Sequence, residues 1–194
     1  MAVAGNNSSE IRVAGTGRIL VAAVGALAPT DTGTPWDAAW TDLGYTSADG
    51  VTFSKKDKLD PVDTWQAVSP VRFIYSDREL TLKFSLMQFN GDTFPLYMGG
   101  GKVAAPDATK PSVQGYQLGD GPQFDERALG LEFSDGTDVT YRFVIPRGQV
   151  TATDDIKLAR KAAALLGVTF TALSNGPSAP LASFVMTDPA YTAS

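Results

Sequence analysis

Short runs in which every second residue is apolar recur along the chain, and this pattern most restricts its fold. Leu80, Leu82, Phe84 and Leu86 alternate with Thr81, Lys83 and Ser85. Leu129, Leu131 and Phe133 alternate with Gly130, Glu132 and Ser134, and Val139, Tyr141, Phe143 and Ile145 follow the same rule. Val168, Phe170 and Ala172 do so again. A period of two places all apolar residues of a run on one face of a strand. Asp135-Gly136 lies between two such runs and supplies the chemistry of a tight hairpin turn. Ile11, Val13, Ile19 and Val21 share one parity, which predicts a first strand over 11–24, and Leu181 to Thr187 reads as a last one. The expected fold is mainly β: an antiparallel β-sandwich or open barrel with one or two short helices. No composition shift or linker divides the 194 residues, so one domain is expected over 1–194. Residues 1–10 read as a flexible arm, and 25–48 as a long loop with a role in contacts.

Between the alternating runs the reading is less regular. Val51 to Ser54 predicts a short strand, Lys55-Lys56-Asp57-Lys58 a charged tip, and Asp63 to Tyr75 an extended stretch broken at Pro70. Ser76-Asp77 reads as a turn. Asp92 is placed to cap a short helix through Met98, which Gly99-Gly100-Gly101 would stop. Residues 153–166 have a helical reading, with Ile156, Ala159, Ala163 and Leu166 on one face and Thr153 as cap. A strand at Ile156 to Ala159 followed by a turn competes with it.

Composition removes most chemistry. There is no cysteine and no histidine, so disulfides, thiolate nucleophiles, imidazole bases and the usual zinc and haem ligand sets are excluded. No Ser-x-x-Lys pair or Gly-x-Ser-x-Gly elbow is present. Gly99-Gly100-Gly101-Lys102 fails the phosphate-loop pattern because residue 103 is Val and residue 96 is Leu. Asp154-Asp155 is a tight carboxylate pair and suits the start of a helix better than glycoside hydrolysis. The net charge of −5 has the wrong sign for a phosphate-gripping surface. The longest apolar run, Ile19 to Ala28, has ten residues, about half of a spanning helix. Ala26-Leu27-Ala28 resembles a leader-cleavage site, but the parity of Ile11 to Val21 reads as a strand running into it. No catalytic residue, cofactor or metal site is expected. Lys55, Lys56 and Lys58 form a compact basic cluster, and Trp36, Trp40 and Trp65 are candidate interface or core anchors.

The order of segments is itself informative. Leu43-Gly44-Tyr45-Thr46-Ser47-Ala48-Asp49-Gly50-Val51 precedes the charged tip, Asp63-Thr64-Trp65-Gln66 and Pro70-Val71-Arg72 follow it, and Phe89-Asn90 leads to Leu96-Tyr97-Met98-Gly99. This series resembles the major tail proteins, or tail tube proteins, of bacteriophages with long non-contractile tails. The Ala/Thr/Gly-rich usage is reminiscent of phages of high-GC actinobacterial hosts. The resemblance implies a structural virion protein made in the host cytoplasm, with six-membered rings stacked into a tube and subunit sheets joined into an inner β-barrel. DNA would pass through the lumen without specific binding, and tail-tip, tape-measure and tail-terminator proteins would be partners. It implies one helix, at Asp92 to Met98. It also matches Val51 to Tyr75 to a hairpin that lines the lumen, making Lys55, Lys56 and Lys58 candidates for contact with acidic residues of the next ring. Rival readings are another virion or secretion-tube structural protein, such as a terminator or neck protein, and a carbohydrate-binding sandwich using the tryptophans. A carboxylate-only hydrolase is the remaining one.

Overall fold

The alternating runs form strands, and the hairpin expected across Asp135-Gly136 is present. A computed structural model describes residues 5–121 and 123–191. Its strands are β1 (Thr16–Ala23), β2 (Thr41–Asp42), β3 (Thr46–Thr64), β4 (Ala67–Leu86), β5 (Arg127–Asp135), β6 (Val139–Thr153), β7 (Leu166–Ala172) and β8 (Ser183–Thr187). A single short helix, α1 (Thr93–Tyr97), lies between β4 and β5. All strand pairs are antiparallel, in the order β2-β1-β5-β6-β7-β4-β3. The long strand β6 organises the sheet. β5 covers one edge of it, while β8 takes the other edge along Thr140–Val144 and β7 takes it along Gly148–Thr153. The edge thus changes partner at Pro146-Arg147, which lets one continuous sheet fold over on itself.

The apolar members of each alternation face inward. Ile19 and Val21 of β1, Leu80 to Leu86 of β4, Leu129 of β5, Phe143 and Ile145 of β6, and Leu166, Val168 and Phe170 of β7 form one buried cluster. Phe53 of β3 closes it, its ring edge-on to Phe143 at 5.2 Å and to Phe184 of β8 at 5.9 Å. Burying side chains of this size stabilises the fold by about 1.5–3 kcal/mol each. A second cluster lies on the opposite face of β1, β5 and β6: Leu20, Ala22, Ala128 and Val144, roofed by Trp40 and Trp36. Gly130 makes room for that roof. A Cβ there would lie 2.5 Å from Cη2 of Trp36.

Several local expectations are corrected. Lys55 to Lys58 is not a tip: the chain runs straight through it in β3, and the turn is Trp65-Gln66. Ser76 is not a turn but a bulge in β4, where Lys58 faces Asp77 and Leu59 faces Tyr75. β4 continues through Pro70, and β6 continues past Pro146-Arg147-Gly148 to Thr153. No helix occupies 153–166. Pairing claims Thr153 for β6 and Leu166 for β7, and the twelve residues left form a loop with a small bridge between Ala159 and Ala162. With its end residues held in extended strands, the segment loses the cap and the last apolar position of the expected helix. Asp92 occupies the N-cap position of α1 but makes no capping bond. The Asn90 carboxamide does that work, accepting from the amides of Asp92 and Thr93 at 2.9 Å each. The first strand begins at Thr16 rather than 11.

Candidate functional site

The residues singled out from sequence lie on three different surfaces, and one of them dominates the molecule. β7 accompanies β4 only from Leu86 to Thr81. Beyond that point β3 and β4 continue alone as a two-stranded ribbon to Trp65-Gln66, about 33 Å at 3.3 Å per residue. A free two-stranded ribbon is marginal in water, so its side chains decide what it does.

The ribbon has two unlike faces. Residues directly opposite each other in an antiparallel pair share a face. On the face continuous with the core, Lys55, Asp57 and Arg78 come first, then Leu59 beside Tyr75, Pro61 beside Phe73, and Val71. These apolar residues are exposed, and at the tip Trp65 is 99% exposed. The other face carries Lys56 beside Glu79 and Lys58 beside Asp77. Each predicted lysine already has a carboxylate: Lys55 pairs with Asp57, Lys56 with Glu79 at 3.7 Å, and Lys58 with Asp60 at 3.7 Å. Arg78 also bonds Asp57, Nε to Oδ1 at 2.7 Å. That bond, helped by Lys55, pushes the Asp57 carboxyl down to about 2. Residues 55–80 hold five cations and five carboxylates, so the ribbon is neutral and the body carries the whole net charge of −5. The basic cluster seen in sequence is therefore a balanced one.

Beside the ribbon's root lies a four-strand section, β3-β4-β7-β6. Among the described residues β3 has no partner on its outer edge, and residues 149–153 of β6 pair with β7 alone. Neither side carries a further strand, and Gln123, Phe124 and Asp125 lie beside Gln149 to Thr151 without pairing. The face away from the core is lined with Thr52, Ser54, Thr81, Ser85, Thr169, Thr171 and Gln149, with Lys83 in their midst and paired to Asp154. The Thr151 and Thr171 hydroxyls bond across it at 2.7 Å.

The tryptophans do not share a surface. Trp36 and Trp40 pack edge-on at 4.8 Å within the long loop and pin it to the sheet. The Trp36 indole donates to Glu132 at 2.9 Å, and the Trp40 indole donates to the Leu27 carbonyl at 2.8 Å. Buried Arg142 donates to Glu132 and to the carbonyls of Asp31 and Thr34. Burial pushes the Glu132 carboxyl up, but the bonds from Trp36 and Arg142 and the Arg18 charge outweigh it and hold it low. The long loop expected to serve in contacts is thus docked on its own sheet. The expected arm is partly built too: Ser8–Glu10 form a 3-10 turn capped by Asn7, and Arg12 is clamped to Asp188, which Tyr141 also bonds. That clamp holds the Asp188 carboxyl far below the usual range. Residues 1–4 of the arm lie outside the described residues.

The pockets hold little chemistry. An apolar groove of about 510 Å³ runs between the edges of β1 and β3, with Leu131, Phe133, Phe143 and Phe184 among its lining residues, and Arg18 is its one charged residue. Among the described residues no group of three or more Asp or Glu could hold a metal ion, and no helix is long and apolar enough to cross a membrane. What sequence reading missed is the apolar stripe of Leu59, Val71, Phe73 and Tyr75. Its signal was a change of parity, from even-numbered apolar residues over 80–86 to odd-numbered ones over 71–75. No curated protein matches the chain. A family model described as phage tail tube protein matches it over residues 4–194.

Proposed function

The chain belongs to the phage tail tube protein family, and from that premise we propose that six copies close into a ring, that rings stack into a hollow tube, and that DNA passes through it. Its role as a structural component of the virion tail follows from the family itself. The finer reading is supported by one observation above all: among the described residues the section β3-β4-β7-β6 has no strand partner on either edge. Its strands run alternately up and down. If β3 of one copy lies beside residues 149–153 of β6 in the next, with both copies in the same axial sense, the alternation continues unbroken. A heterologous contact of this kind generates a closed ring when its rotation divides a full turn. It also satisfies the edge groups that would otherwise template aggregation. The hydroxyl-lined face then forms the inner wall.

The ribbon supplies the contact between rings. Its apolar stripe cannot cover itself, and a neutral charge balance suits burial against another copy. Lys55, Lys56 and Lys58 belong to this contact as exchangeable pairs, meeting carboxylates of the adjacent ring. The activity is association alone, without bond chemistry. Tail-tip, tape-measure and tail-terminator proteins are the partners expected at the ends and inside of such a tube.

Negative-stain microscopy with size-exclusion chromatography tests the assembly. Hollow tubes with six-fold end views are expected. The cysteine-free chain permits a sharper check of the edges. Ser54→Cys and Thr151→Cys in one chain, treated with a short bismaleimide after assembly, should give a ladder ending at six subunits. Assembled tubes that yield only monomer would refute the edge pairing. Reversing Lys55, Lys56 and Lys58 to Glu should lower tube yield more than melting temperature, and wild-type yield would remove them from the interface.

A further inference from the structure

Ten of the sixteen Lys and Arg residues are in ion pairs within the chain, each against a named carboxylate. Of the six that pair with nothing among the described residues, three fall within five positions: Lys157, Arg160 and Lys161. All three are exposed. Their loop is a built feature rather than a loose one. Its base is fixed where Asp154 pairs with Lys83 at 2.9 Å and the Asp154 carbonyl accepts from the Tyr97 hydroxyl at 2.6 Å. The bridge between Ala159 and Ala162 then leaves Arg160 and Lys161 as the two apex residues of a tight turn.

This loop follows the end of β6. The turn at the other end of β6 has the opposite character. Asp135 and Asp138 flank Gly136-Thr137 there, and Glu10 of the 3-10 turn joins them around an open groove of about 530 Å³. None of the three carboxylates has a cationic partner among the described residues, because Arg12 beside them is already taken by Asp188. β6 is a continuous strand of fifteen residues, about 50 Å at 3.3 Å per residue, and the basic turn follows one of its ends while the acidic groove lies at the other. Such an arrangement is self-complementary head to tail and not head to head.

We propose that the turn bearing Arg160 and Lys161 docks into the groove formed by Glu10, Asp135 and Asp138 of a second copy, joining one ring to the next and fixing their common polarity. This rests on the tube reading above but uses a different surface from the ribbon. Exposed pairs of this kind are screened over about 8 Å at physiological ionic strength. This contact, unlike ring closure by backbone pairing, therefore weakens with salt.

The test is a charge swap in the full chain, read by light scattering and negative-stain microscopy at 50 and 500 mM NaCl. R160E/K161E and E10K/D138K are each expected to give rings with at least a tenfold loss of long tubes. The four substitutions together should restore at least half of the wild-type yield. K102E/K110E, which adds the same negative charge on a different loop, should polymerise normally. Equal melting temperatures establish that each variant folds, with E10Q/D138N replacing the lysine pair if it does not. Wild-type polymerisation by R160E/K161E, or no recovery in the combined variant, would overturn the docking while leaving the tube reading intact. Absence of rings from the wild-type protein would overturn the reading on which it rests.

Discussion

Gly130→Ala tests whether the long loop is packed against the sheet or merely lies near it. The substitution adds one methyl group on the face roofed by tryptophan. Its carbon would fall 2.5 Å and 2.7 Å from two ring carbons of Trp36, and 3.2 Å from one of Trp40. Non-bonded carbons normally approach to about 3.5–4.0 Å. Trp36 must therefore retreat by about 1 Å. Its indole bond to Glu132 and its place 5.4 Å from the Arg142 guanidinium resist that movement. Overpacking of this kind costs about 1–3 kcal/mol. In a chain of this size each kcal/mol lowers the melting temperature by about 2–4 °C, so a fall of about 2–12 °C is expected. Thermal and urea denaturation, followed by tryptophan fluorescence, would measure it. The decisive control is Trp36→Ala, which removes the obstructing ring. Gly130→Ala should then cost less than half as much in the Trp36→Ala background as in wild type. An additive cycle would refute the reasoning, because contact between the two groups requires coupling.

Three further outcomes follow from the packing and the charges. Phe170→Ala empties a fully buried site and should cost about 3–5 kcal/mol in urea unfolding; a loss under 1 kcal/mol would mean that the core is not centred on β7. Arg142→Met removes the donors to the Asp31 and Thr34 carbonyls, so limited proteolysis within 25–40 should accelerate severalfold while the rest of the chain stays protected; an unchanged rate would detach the loop from Arg142. Because the Asp57 carboxyl is pushed down to about 2 from 3.8, its ion pair adds stability that is fully present above pH 4 and lost as pH falls through about 2. Carbon-13 titration of that carboxyl should show the low midpoint, and a midpoint near 4 would dissolve the Asp57–Arg78 pair.

The parts of the fold legible in sequence are those where water and core compete for alternate residues. Leu80 to Leu86, Leu129 to Phe133, Val139 to Ile145 and Val168 to Ala172 declare their strands because one face is buried and the other is not. The ribbon lacks that contrast. Both of its faces meet solvent in the single chain, so Lys55 to Lys58 reads as a tip although it lies seven to ten residues from the turn. The pairing of each lysine was equally hidden, since Lys56 and Glu79 are neighbours only through strand register. In 153–166 the local helical spacing is genuine, but β6 and β7 take the end residues and tertiary pairing outweighs propensity. The Trp36–Trp40 roof depends on Gly130, ninety residues away from Trp40, and no local pattern announces it.

Ser76 is the hinge of that hidden architecture. It is the extra residue by which β4 changes phase against β3, and its hydroxyl donates to the Lys58 carbonyl at 3.3 Å. A bulge bends its strand and increases the local twist. Removing Ser76 would leave Lys58 opposite Asp77 and Leu59 opposite Tyr75, so every pair and both faces would survive. Only the bearing of the ribbon would change, and a small swing at its root is multiplied over some 33 Å to the tip. The aim of the largest projection on the molecule is thus set at its root by one extra serine, ahead of the further irregularity between Val62 and Thr64.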